Sequence, residues 1–258
     1  MNVAWHEWGD RQAAPVVLLH GGHGSHGHWV RNVDALAQHY RVLAPDMPGY
    51  GESDVPPELT MDSLVSTLRK ALDAHIGAST PVRLVGFSFG GLVATKIAAQ
   101  REGVTHLALL GPAGHGTTRR PKGKLLNWKD ALEANDSAAL RQVMQHNLLM
   151  HMLADADSID DEALAIHTNA CLKTRFHSKK ISHAGGLLES LALAVQVNPA
   201  MTVSAIWGEH DVTCTPAAVL ALLQSKHALT NSRIIAGAGH WVQYEAAEAT
   251  NLFLLDAL

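Results

Sequence analysis

Ser88 stands between small residues in Gly86-Phe87-Ser88-Phe89-Gly90, followed by Gly91, directly after the apolar run Val82 to Val85. A serine on a tight strand-to-helix turn projects its hydroxyl into a cleft, and flanking glycines let strand and helix approach closely. The hydroxyl alone is a poor nucleophile at neutral pH, so such chemistry needs a base within reach and a group that orients the base. Both types occur downstream. Thr202 to Trp207 is a strand-like run that breaks at Gly208-Glu209-His210-Asp211, which leaves Asp211 on a loop past the carboxyl end of a strand. Ser232 to Ile235 repeats the pattern, with Gly237-Ala238-Gly239 as the loop and His240 ahead of a helical stretch toward Leu258. Each residue alone is ordinary: a turn serine, a loop carboxylate, a histidine among glycines. The order Ser88, Asp211, His240, each after an expected strand, points to a nucleophile–acid–base triad for acyl transfer.

A tetrahedral oxyanion needs two aimed backbone N–H donors. Phe89, next after the serine, is expected to supply one, and Gly22 or His23 the other, because the strand Val16 to Leu19 opens into His20-Gly21-Gly22-His23-Gly24. The nearby His20, His23, His26 and His28 raise the idea of a metal, but their spacing fits neither a helical His-Glu-x-x-His site nor a zinc ribbon. The expectation is therefore no metal and no organic cofactor, with His20 a structural residue beneath the loop.

The elements that must position these residues alternate. Val82 to Val85 reads as a buried strand and Leu92 to Gln100 as a helix. Thr60 to His75 reads as a covering helix capped by Thr60, with Met61, Leu64, Val65, Leu68 and Leu72 along one stripe, and another helix should start near Thr215-Pro216. Short strands alternating with helices argue for an α/β class with a mainly parallel sheet. The alternation fails between Gly114 and Asn198, so the expected organisation is a core of residues 1–113 and 199–258 with a helical lid at 114–198. Within the lid, Asp136 or Ser137 can cap a helix through Met150, and Ser158 to Asp161 resembles a capping box ahead of a helix through about Thr174. Arg119, Arg120, Lys122 and Lys124 read as a solvated basic segment. Met144 and Leu148, on a Met and Leu stripe that packing also explains, join Phe87 and Trp241 as candidates for an apolar substrate pocket.

The segments "LLHGGHG", "APDMPGYGESD", "LVGFSFGG", "LLGPAG", "WGEHD" and "GAGHW" together resemble successive landmarks of the α/β-hydrolase superfamily. The resemblance implies an α/β-hydrolase fold, the triad named above, and a small-molecule substrate, most simply a carboxylic ester cleaved through an acyl-enzyme. Asp46, in "DMPGYGES", matches a structural turn of that superfamily and is not expected to be catalytic. "GHWVQYE" and "LLGPAG" further resemble the hydrolases that cleave carbon–carbon bonds in meta-ring-fission products. The chain departs from that subgroup in carrying Phe87 where the subgroup usually has Asn, and in lacking its Arg-Trp pair. Carbon–carbon hydrolysis, a cofactor-free oxygenase or haloperoxidase-like activity, and a non-catalytic small-molecule binding protein on the same fold are the alternatives.

At 258 residues the chain is long enough to bury a large core without cross-links, and its two cysteines, Cys171 and Cys214, give no disulfide framework. A net charge of -4 without a long basic run argues against nucleic acid as a partner. No apolar run approaches the roughly 18 residues of a membrane span, and "MNVAWHEWGD" lacks the pattern of a signal peptide. The expectation is a cytoplasmic protein that does not bind membranes, its oligomeric state open and a homodimer among the options.

Overall fold

Apolar runs of five to seven residues form the five inner strands, as expected of segments buried on both faces of a parallel sheet, while the two edge strands, Trp5–Trp8 and Asn231–Ile235, are only half-buried. The computed structural model describes residues 1–258. In chain order the elements begin with β1 Trp5–Trp8, β2 Pro15–Leu19, α1 Val33–Ala37, β3 Arg41–Pro45, α2 Met61–Ile76, β4 Val82–Phe87, α3 Phe89–Ala98 and β5 Val104–Leu110. Five helices follow without a strand: α4 Lys129–Glu133, α5 Ser137–His151, α6 Asp161–Leu172, α7 Lys179–His183 and α8 Leu187–Val197. β6 Thr202–Gly208, α9 Pro216–Lys226, β7 Asn231–Ile235, α10 Val242–Glu245 and α11 Ala247–Ala257 complete the chain.

The sheet runs β1-β3-β2-β4-β5-β6-β7, parallel throughout except for β1, which lies antiparallel to β3 at one edge. Successive strand residues face opposite sides, so the sheet divides two cores. Val17, Leu19, Leu84 and Leu107 join α2, α3, α8 and α9 on one side, while Val16, Leu18, Val85 and Ala108 join α1 and α11 on the other. The α2 stripe packs as its spacing predicts, with Leu64, Val65, Leu68 and Leu72 buried, each worth about 1.5–3 kcal/mol over exposure. Thr60 caps it by accepting from the Ser63 N–H at 3.2 Å, and the chain turns away at Gly77, whose φ of 92° favours glycine.

The strandless segment divides. α5 and α6 pack onto the second core through Met144, Leu148, Ala163 and Leu164, whereas α8 packs onto the first through Leu187, Leu191 and Ala194 and so belongs with the sheet, not with a lid reaching residue 198. Asp136 caps α5, accepting from Ala139 N–H at 2.9 Å. The cap of α6 is Asp160 rather than a box at Ser158. Asp155 accepts from the Asp157 N–H and starts a separate 3-10 turn, Ala156–Ser158, which takes Ser158 out of the helix. Arg31 ties this segment to the core through Asp160, Glu162 and Tyr244. No helix is long and apolar enough to cross a membrane.

Candidate active site

β2 connects to β3 on one side of the sheet while β4 lies on its other side, so a crevice opens beyond the carboxyl ends of β2 and β4. Leu19 pairs with Gly86 at that end, which sets the loop starting at His20 beside the turn at Ser88. Ser88 has φ 53° and ψ -118°, a region that costs a non-glycine residue on the order of 1–3 kcal/mol and aims the side chain out of the turn. The neighbouring glycines are steric necessities: a Cβ on Gly86 would lie 2.4 Å from Gly90 O, and one on Gly90 2.2 Å from Leu19 O.

Two loops meet this serine. His240 Nε2 lies 2.9 Å from Ser88 Oγ, and His240 Nδ1 lies 2.8 Å from Asp211 Oδ2. The imidazole and the carboxylate are both buried. Asp211 Oδ1 accepts from the Thr213 N–H at 2.7 Å and the Thr213 hydroxyl at 2.6 Å. Burial alone would raise the Asp211 carboxyl, but His240 and the two Thr213 donors outweigh it and hold it below the ordinary carboxylate range. With Asp211 ionised, His240 carries its proton on Nδ1 and leaves Nε2 free to accept from the serine. Thr213 escaped the sequence reading, although a hydroxyl two residues after a loop aspartate is a signal for such a turn.

The His20 loop is held from below. His20 donates from Nδ1 to Gly21 O at 2.8 Å and accepts on Nε2 from the Met47 N–H at 2.9 Å, and burial pushes its pKa down to about 4. His28 Nδ1 accepts from Gly21 N–H at 3.2 Å. His23 adopts φ 54°, and the N–H groups of Gly22, His23 and Phe89 have no hydrogen-bond acceptor within the chain. They border the cavity above Ser88.

That cavity is about 420 Å³, a volume suited to a small molecule. Phe87 and Phe89 line it. Met144, Leu148 and Trp241 do not, contrary to expectation. Met144 and Leu148 face the core cluster because α5 docks by its apolar stripe, and this turns Asn147 and His151 of the adjoining face toward the cavity. Trp241 is buried beneath, stacked 4.3 Å from the Tyr244 ring, with its Nε1–H donating to His28 O at 3.0 Å. It anchors the His240 loop. The basic segment is not solvated as a whole either. Arg119 lines the cavity, Arg120 donates to Cys214 O at 3.0 Å, and Lys122 donates to Ala154 O at 2.8 Å.

A second histidine group, His6, His26 and Asp46, brings potential metal-ligand atoms within 4.8 Å of one another. None of the three lines the cavity. The two rings stack 3.4 Å apart at 22°, so their in-plane lone pairs run side by side instead of converging on one ion. Asp46 Oδ1 accepts from the His26 N–H and Oδ2 from the Glu52 N–H, which closes the turn from Asp46 to Glu52 and pins the His26 loop to it.

The alpha/beta hydrolase fold family matches residues 14–247, and the chain belongs to that family. It is 29% identical, over 99% of its length, to the dihydrolipoyllysine-residue acetyltransferase component of an acetoin cleaving system from Pseudomonas putida, and covers 66% of that protein. It covers 32% of a probable 1-acylglycerol-3-phosphate O-acyltransferase from Oryza sativa subsp. japonica. A 2-hydroxy-6-oxononadienedioate/2-hydroxy-6-oxononatrienedioate hydrolase from Paraburkholderia phymatum is 30% identical over 94% of the chain and 86% of that protein. Among solved structures, a carboxylesterase of Nitrososphaera gargenis superposes with a TM-score of 0.72 at 20% identity, covering 98% of this chain and 93% of that one. At that identity the likeness speaks for the fold.

Proposed function

We propose that the protein is a serine hydrolase that cleaves a carboxylic ester of small or medium size through an acyl-enzyme. The observation that carries this reading is the continuous relay from Ser88 Oγ through His240 to Asp211 at the floor of the cavity. His240 Nε2 takes the Ser88 proton as Oγ attacks the acyl carbon, and Asp211 stabilises the imidazolium that forms. The N–H groups of Phe89 and of Gly22 or His23 receive the oxyanion. Collapse expels the alcohol, protonated by His240. A water that gives its proton to the same nitrogen then releases the acid and restores Ser88. No metal or organic cofactor enters this sequence, and α4 to α7 act as the lid, while α8, inside the expected 114–198 lid, packs against α3 on the sheet.

The test is hydrolysis of p-nitrophenyl esters from acetate to decanoate by the wild-type protein and Ser88→Ala. Turnover that peaks at one chain length and vanishes in the variant supports the reading. Turnover that survives in the variant refutes it. Carbon–carbon hydrolysis by the same triad is a second reading, favoured by the 30% identity to the oxononadienedioate hydrolase over 94% of the chain. Loss of absorbance by a coloured ring-fission product would select it.

A further inference from the structure

Arg119 and Lys179 both line the cavity that holds Ser88, and neither takes part in any ion pair. Of the four other buried or half-buried arginines, Arg41, Arg69 and Arg101 pair with carboxylates, and Arg83 donates to Leu258 O at 2.7 Å. Arg101 meets Asp73 at 2.9 Å and Arg41 meets Glu7 at 2.9 Å. Arg119 is half-buried, yet its partners are imidazoles: Nη1 donates to His183 Nε2 at 3.0 Å and Nη2 to His151 Nδ1 at 3.0 Å. No aspartate or glutamate lines the cavity. Asp211 lies beneath it, its two oxygens committed to His240 and Thr213. A guanidinium withdrawn from water without an anion is incompletely compensated, and its planar fork matches a carboxylate.

The placement ties this cation to the reacting centre. His151, which accepts from Arg119, packs its ring 5.6 Å from the ring of His240. Asn147, one turn earlier on α5, shares the lining, but its amide is paired with Leu126, Oδ1 accepting from the N–H at 2.8 Å and Nδ2 donating to the carbonyl at 3.0 Å, so the cation stands without it. Three elements therefore converge: the loop after β5 brings Arg119, α5 brings Asn147 and His151, and α7 brings Lys179 and His183.

We infer that this end of the cavity is a carboxylate seat, and that the substrate carries, besides its scissile acyl group, a carboxylate received by Arg119 with support from Lys179 and His183. The inference rests on the hydrolase reading and narrows it to acidic substrates. Arg119→Gln keeps a donor and much of the bulk but removes the charge.

The experiment uses two matched pairs: methyl hexanoate with monomethyl adipate, and phenyl acetate with 4-acetoxybenzoate. One places the acid on the acyl side and the other on the leaving group. Released acid is titrated at constant pH for wild type, Arg119→Gln and Arg119→Lys, each first shown to be folded by circular dichroism. Wild type should favour the acidic member of one pair by about tenfold or more in kcat/KM, the scale of a hydrogen bond to a charged group. That ratio should fall to near one in Arg119→Gln and recover in part in Arg119→Lys. Hydrolysis of both pairs without preference, or a preference that survives in Arg119→Gln, overturns the seat and leaves the hydrolase reading standing. If no ester turns over, the hydrolase reading fails on these substrates and the seat is read by calorimetric titration of adipate and benzoate. Binding by wild type that Arg119→Gln loses supports the seat, and no binding by wild type overturns it.

Discussion

Replacing Ser88 by alanine should lower ester turnover on the order of a millionfold, the scale seen when the nucleophile of another serine triad is removed. Asp211→Asn should cost on the order of ten-thousandfold, because the carboxamide can present a donor to His240 Nδ1 and trap the wrong tautomer. Single-turnover and steady-state kinetics on a p-nitrophenyl ester check both. Ser88, Asp211 and His240 could be read from the sequence because each follows an apolar run in a glycine-marked turn, a pattern local to a few residues. The cavity walls were less legible. Met144 and Leu148 share α5 with Asn147 and His151, and only docking of the helix decides which stripe meets the core and which the cavity. Arg119 was obscured by its basic neighbours, since charge composition carries no information about which side chain folds inward.

At the scale of elements, the His240 loop and the end of α5 are joined by one side chain. The Glu245 carboxylate accepts from the Gly239 N–H at 2.6 Å and from the Ala154 and Asp155 N–H groups at 2.9 Å. Glu245→Gln replaces one acceptor oxygen by a donor facing N–H groups, which should destabilise the fold by about 1–3 kcal/mol and lower kcat by loosening His240. Chemical denaturation and kinetics on the same preparation test this, and an unchanged midpoint would refute the clamp. Helix starts were largely legible, since Thr60 and Asp136 cap through their own side chains. The α6 start was not: Asp155, Ser158 and Asp160 all suit a cap, and Asp155 takes the short turn while Asp160 takes the helix. The edge strand β1 was missed because Trp5-His6-Glu7-Trp8 has no apolar run, and its antiparallel pairing with β3 arises from tertiary structure.

For the whole molecule, acid sensitivity should come first from buried histidines. Burial pushes His20 and His167 down to about 4, and places His28 and His151 well below the ordinary histidine value. Unfolding exposes these groups, which then bind protons at their ordinary value of 6.5. The unfolded state thus holds more protons between the two values, and stability is lost as pH falls from about 6.5 toward 4. Asp211 is lowered as well, so its contribution is lost in the same direction but at lower pH, as the pH falls through and below the ordinary carboxylate value. The urea midpoint should fall between pH 7.5 and pH 5, and an unchanged midpoint would contradict the buried neutral histidines. The alternation of strands and helices disclosed the sheet and its strandless interruption, whereas the cavity formed by that interruption depends on contacts across long stretches of chain. The central claim, that Ser88 attacks an acyl group with His240 as its base, is tested most directly by an aryl phosphonofluoridate that traps the attacking oxygen. Peptide mass spectrometry should find one adduct, on Ser88, in the wild-type protein and almost none in His240→Ala over the same time. An adduct on another residue, or equal labelling of Ser88 without His240, would contradict the account.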